Sequence, residues 1–238
     1  MLYLLCITIG HLERLVPSMS NILELYNLNH TLAAAYLEQF TYPWEALKGI
    51  KDMIIDLGGK LGDEYTEVSP QVWVHKTAKV APTAYLGAPC IIGAETDVRH
   101  CAFIRGSALV GEGCVVGNSV ELKNVILFDK VQVPHYNYVG DSILGYKAHM
   151  GAGSITSNVK SDKSLVVIHG ETEIPTGIKK VGAMLGDYVE VGCNSVLNPG
   201  TVIGRNSNIY PLSSVRGVVP ENSIYKASGK IVRKEEKE

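Results

Sequence analysis

The sequence has no excess of charge of one sign: 22 lysines and arginines face 24 aspartates and glutamates, for a formal charge of −2. So balanced a chain offers neither the basic field that draws nucleic acid nor a one-sided surface for a membrane, so any anion must be held by a few local side chains. It also lacks an apolar run near the roughly 20 residues that cross a bilayer. The nearest approach, Met1 to Gly10, is half that length, has no basic segment before it and no clear small-x-small site after it. It is expected to pack as a buried segment, or to lie ahead of a translation start at Met19, rather than to serve as a signal peptide. Cysteine pairing is missing too. Cys6, Cys90, Cys101, Cys114 and Cys193 are odd in number and show no C-x-x-C spacing, in a chain too long to need staples. Free thiols in a reducing, cytoplasmic compartment are the expectation.

What is present begins with ordinary globular composition, 46% hydrophobic and 19% charged over 238 residues, enough to bury a core of its own. From about Leu23 to Leu61 apolar residues recur at spacings of three and four (Leu32, Tyr36, Leu37, then Trp44, Leu47, Ile50, Ile54, Leu57), which predicts a small helical cap. Pro43 suits the opening turn of its second helix, and Gly58 and Gly59 suit an ending that needs positive φ.

From Val68 an aliphatic residue falls on every sixth position: Val68, Val74, Val80, Leu86, Ile92, Val98, Ile104, Val110, Val116 and Leu122. After a five-residue step the series runs Leu127, Val133 and Val139, steps by five again to Leu144 and Met150, and returns from Leu185 to Val215. Small residues follow four later at Ala78, Ala84, Cys90, Thr96, Ala102, Ala108 and Cys114. A sandwich of hairpins would give period-two alternation with turn signals between strands, and neither is seen. One large and one small inward residue per six means a short strand, a corner, and a new strand on the next side of a triangular prism. Glycine after the aliphatic position (Gly87, Gly93, Gly111, Gly117, Gly145, Gly151, Gly192, Gly204) is expected to relieve turns that other residues would strain. The reading is thus all-β, a parallel β-helix. It divides into residues 1–64 (N-terminal segment and helical cap), 65–222 (the prism, interrupted by a loop or hairpin at about 157–184) and 223–238 (a C-terminal tail ending in a solvated charge run).

Residues 18 apart stack on one face about 4.8 Å from each other. Arg105 and Lys123 are such a pair, and two cations so placed repel by roughly 1 to 4 kcal/mol depending on how much water screens them. Either an anion sits with them or both point into water with Glu121 nearby. Tyr138 lies close to their column and His135 at the corner before it. An imidazole titrates near neutrality and could serve as general base, or could be a surface histidine.

The stretch VELKNVILFDKVQVPHYNYVGDSILGYKAHMGAGSITSNVKSDKS, Val120 to Ser164, resembles the acetyltransferase domain of bacterial bifunctional N-acetylglucosamine-1-phosphate uridyltransferase/glucosamine-1-phosphate acetyltransferase, through its H-x-x-Y-x-G-D and G-A-G-[ST]-I-T segments. The segment KKVGAMLGD, Lys179 to Asp187, is similar to related sugar-1-phosphate nucleotidyltransferases that carry the same prism. The resemblance implies a left-handed coil and an acetyl-CoA-dependent N-acetyltransferase of nucleotide-sugar biosynthesis, acting on an amino-sugar phosphate such as glucosamine-1-phosphate. It implies His135 as general base, with Arg105, Lys123, Tyr138, His149, Asn158 and Lys163 around the sugar phosphate. Ala152, Gly153 and Cys193 would meet acetyl-CoA lying between the prisms of a homotrimer, with backbone N–H groups near Ala152 and Gly153 as oxyanion donors and no metal needed. Two positions depart from the family: His149 stands for an asparagine that helps hold the sugar, and Val159 for the tyrosine after Asn158. No Gly-rich, Lys-bearing phosphate loop opens an α/β unit within these residues, so nucleotidyl transfer is not expected of them. A non-catalytic sugar-phosphate binder, a purely structural prism, and a zinc site built from three of His75, His100, His135, His149 and His169 remain the competing readings.

Overall fold

The computed structural model describes residues 20–235; the apolar run at 1–10, Met19 and Cys6 lie outside them. A parallel β-helix of three walls forms the body. The first wall stacks Val72–His75, Cys90–Ile92 and Ala108–Val110, continuing down to Ala183–Leu185, Thr201–Ile203 and Val218–Val219. Lys79–Val80, Asp97–Val98, Val115–Asn118, Gln132–His135 and His149–Met150 head the second wall. The third carries Tyr85–Leu86, Phe103–Ile104, Ile155–Thr156, Val196–Leu197 and Ser214–Val215.

The hexads supply the interior. From Ile92 to Val215 the sixth-position residues are at most 2% exposed, and the small partners Cys90, Thr96, Ala102, Ala108 and Cys114 are as well covered. Burial without a charge partner pushes the Cys90 and Cys114 thiols up to about 12, so both behave as small apolar side chains. The first hexad hit, Val68, is a coincidence of spacing: it is 57% exposed, on a strand (Tyr65–Ser69) that runs antiparallel to Val72–His75 after the chain reverses at Gln71, φ 60. The coil therefore begins at Val72. Thr156, which an aliphatic filter skips, fills an inward place, its hydroxyl accepting from the Gly140 N–H at 2.9 Å.

At both five-residue steps the third-to-first corner has lost a residue. Strands Glu121–Leu127 and Tyr138–Leu144 run unbroken through it in register, Leu122 beside Val139 and Leu127 beside Leu144. Asn124 and Asp141 sit at the bend with φ 55 and 48.

The glycines after the aliphatic positions serve a different purpose from the one expected. None of the eight has positive φ; a Cβ on them would press into the neighbouring coil. Gly58 and Gly59 likewise need no positive φ, and Gly58 is required because a side chain there would overlap the Trp73 ring.

The N-terminal helices cover a side rather than an end. The outward residues of the first wall, Ile91, Leu109, Ile126, Ile143 and Met184, are apolar and fully buried. Helix Ile50–Gly58 and the 3-10 turn Pro43–Gly49 lie over them, since a sheet apolar on both faces must be covered on both. Asp187 fastens this layer: its carboxylate accepts the Asn27 and Tyr146 N–H groups at 2.7 and 2.9 Å, and burial raises its pKa above the usual carboxylate value. The sugar-enzyme-like segment around Asp187 thus has a structural task.

The interruption after Thr156 holds a hairpin, Val167–His169 with Glu173–Pro175. It folds down onto the later coils, with Val166 and Ile168 fully buried. Ser223–Tyr225 adds a rung beside Asn208–Ile209 and pairs with Ile231–Arg233, so much of the segment read as a tail is folded. Among the described residues no helix is long and apolar enough to cross a membrane.

Candidate active site

The third wall is not covered by the helices, and chemistry-bearing side chains line both its edges. Along the corner it shares with the first wall, Arg105 and Lys123 are consecutive in one file: the Arg105 N–H donates to Leu122 O, and Lys123 stands beside Gly140 in the next coil. Neither cation is free. Arg105 Nη1 is 2.7 Å from Glu121 Oε1, on side chains 47% and 33% exposed. Lys123 Nζ lies 3.1 and 3.2 Å from the two oxygens of Asp141, whose side chain is 5% exposed.

Asp141 is the fixed point of this cluster. Besides Lys123 it accepts from Asn124 Nδ2 at 2.9 Å and from Asn158 Nδ2, and Asn124 also donates to Leu47 O in the helical layer. Asn158 reaches the Tyr138 hydroxyl at 3.2 Å, and the Tyr138 ring lies over Gly140. Burial, with the charges of Asp141 and Glu121, raises the Tyr138 phenol above its ordinary value, so it stays a neutral donor. Asp141→Ala would leave the mostly covered Lys123 ammonium without its counter-charge. An expected loss of about 2 kcal/mol in denaturant unfolding, below the roughly 3–5 kcal/mol of a fully buried pair because Lys123 keeps some water, tests this.

The opposite edge carries a second file. The Tyr136 N–H donates to Asn118 O, Gly153 N–H to His135 O, Asn194 N–H to Ala152 O and Leu212 N–H to Cys193 O, which stacks Asn118, His135, Ala152 and Cys193 in consecutive coils. The His135 ring is exposed, while its backbone is held: its N–H donates to Asn137 Oδ1 at 3.1 Å. Asn137, 2% exposed, donates onward to Gly151 O and Ser154 O. Sequence reasoning passed over Asn137, although an amide between a histidine and a tyrosine of one motif was a visible signal. Asp141, also within the motif, is likewise not among the residues the sequence singles out.

The structure therefore brings together Arg105, Lys123, Tyr138 and Asn158 at one edge and His135, Ala152, Gly153 and Cys193 at the other. Two expected residues stand elsewhere. His149 points out from the second wall, beside Gln132 and Glu190, with Nδ1 2.8 Å from Glu190 Oε2. Lys163 is exposed in the loop after Asn158, and no hydrogen bond or ion pair ties it to Arg105, Lys123 or Tyr138. The Gly153 N–H is taken by His135 O at 3.0 Å, which withdraws it as an oxyanion donor. Among the described residues no three His, Cys, Asp or Glu side chains gather closely enough to hold a metal ion.

No protein-family model matches the chain. It is 28% identical over 240 residues to the bifunctional protein GlmU of Methanococcus maripaludis, covering 94% of this chain and 58% of that protein. To the bifunctional sugar-1-phosphate nucleotidylyltransferase/acetyltransferase of Sulfurisphaera tokodaii it is 27% identical, over 69% of this chain and 41% of the relative. The chain resembles the acetyltransferase part of these proteins. It spans less than two thirds of the length of the curated relatives it matches. Among solved structures, the N-acyltransferase AntD of Bacillus cereus superposes with a TM-score of 0.40 at 15% identity, covering 70% of this chain and 81% of AntD.

Proposed function

We propose that this chain is an acyl-CoA-dependent acyltransferase that moves an acetyl group onto the amine of a sugar phosphate such as glucosamine-1-phosphate. The observation that carries the reading is the third wall itself, left open by the helical layer, with an exposed imidazole at one edge and a cation, hydroxyl and amide cluster at the other. A general base and an anchoring group must flank the same bound molecule, and a single flat wall lets one substrate reach both.

In the step, the substrate amine attacks the thioester carbon of acetyl-CoA while His135 takes a proton from the nitrogen. The C–S bond breaks as the C–N bond forms, and CoA leaves as a thiolate that takes the proton back from the His135 imidazolium. Arg105, Tyr138 and Asn158 hold the sugar phosphate, so that amine and thioester meet already oriented, a gain worth several kcal/mol of barrier. Ala152 and Cys193, in the file of His135, are the surface along which the pantetheine arm would run. A homotrimer would close this open wall against a neighbouring prism, and His149 would reach a substrate only from such a neighbour.

The test is thiol release from acetyl-CoA by the purified chain, with and without glucosamine-1-phosphate. Release that depends on the sugar supports the reading. Equal release in both, together with no rise in melting temperature on adding CoA, would move the chain to the non-catalytic alternatives.

A further inference from the structure

The four charges at the first edge cancel. Arg105 and Lys123 are matched by Glu121 and Asp141, so the file that should attract a phosphate is neutral as folded. The two pairs differ in how they can respond. Asp141 is almost wholly buried and receives hydrogen bonds from Lys123, Asn124 and Asn158; moving it would strand all three donors. Lys123 is thereby locked to a carboxylate that cannot leave.

Glu121 has no such anchorage. It lies on the outward side of the third wall, a third exposed, and among the described residues its carboxylate pairs with Arg105. Its charge can swing into water at little cost, as solvated ion pairs of this kind contribute little to stability. The guanidinium it would release is planar and forked, suited to two parallel hydrogen bonds with a phosphate.

We infer that Glu121 is a specificity-determining residue that occupies Arg105 in place of ligand phosphate, so that a phosphorylated substrate binds by displacing it, while Asp141 and Lys123 form a fixed pair that positions Asn158. This rests on the proposed sugar-phosphate reading for its substrate, though not for its chemistry. A ligand must bring an anionic group to exchange for the Glu121 carboxylate. An unphosphorylated amino sugar has nothing to exchange and gains nothing from Arg105.

Glu121→Gln keeps the shape and one accepting oxygen while removing the competing charge. Inorganic phosphate added over a concentration series should raise the melting temperature of the Glu121→Gln protein at about threefold to tenfold lower concentration than the parent, and Arg105→Gln in the same background should abolish that gain. In turnover, Glu121→Gln should lower KM for glucosamine-1-phosphate by a similar factor and lower that for glucosamine far less. The inference is overturned if Glu121→Gln responds to phosphate no better than the parent, or if the gain survives loss of Arg105. Absence of acetyl transfer in the parent would sink the functional reading alone, because the phosphate titration needs no turnover.

Discussion

Replacing His135 with alanine lowers kcat for sugar-dependent acetyl transfer about 10²- to 10⁴-fold, the usual share of a positioned general base, and leaves the melting temperature unchanged. The separation follows from where the residue sits. Its ring is exposed and its packing contribution small, while the backbone contacts that knit the corner are made by groups alanine also has: the N–H to Asn137 and the carbonyl that accepts from Gly153. Initial rates at saturating glucosamine-1-phosphate, across a range of pH, check it. A base that has been removed takes its limb of the pH–rate profile with it, whereas a variant that merely loosened the fold would keep the profile and lose thermal stability. Asn137→Ala gives the converse result. It strips buried partners from Gly151 and Ser154, so activity and stability fall together.

The fold was legible because the β-helix repeats one demand at each sixth residue, and most hexad positions met it: Ile92 through Val215 point inward. Where one filter was trusted alone it failed, at Val68, since six-residue spacing says nothing about a chain reversal at Gln71. The side helices were legible as helices but not as a lateral layer. The signal was there: Ile91, Leu109, Ile126, Ile143 and Met184 alternate with inward residues on one wall in every coil, and a wall apolar on both faces cannot face water.

The site was half legible. Spacing of 18 put Arg105 and Lys123 in one file. It could not show that each cation had already been matched. Glu121 precedes an inward leucine and reaches back to the coil above, and Asp141 arrives at Lys123 through a corner shortened by one residue, with φ 48. Side chains that meet across coils at a bend depend on corner geometry, which no periodicity encodes. His149 stands apart from that cluster for a related reason, because motif order along the chain does not preserve which wall a residue faces.

Corner geometry is also where a single methyl group does most harm. Gly117 lies at the second-to-third corner directly above Pro134, and a Cβ there would coincide with the Pro134 carbonyl. Unlike a strained dihedral, this overlap is between two backbones pinned by hydrogen bonds: the Tyr136 N–H to Asn118 O and, one coil later, Gly153 N–H to His135 O. Gly117→Ala can be accommodated only by parting the coils. A cost of about 3 kcal/mol or more is expected, which at this chain length lowers the melting temperature by about 6–12 °C. Gly113→Ala is the control. Gly113 has φ 62, yet its Cβ would touch nothing closer than Lys130 Cγ at 3.5 Å, so the penalty is the roughly 1 kcal/mol of an alanine in the left-handed region. Because the parted coils carry His135, Gly117→Ala should also lose turnover well below its melting temperature, while Gly113→Ala keeps it. Equal stability losses in the two variants would mean that close approach of the coils is not what requires Gly117, and that it does not hold the histidine in place.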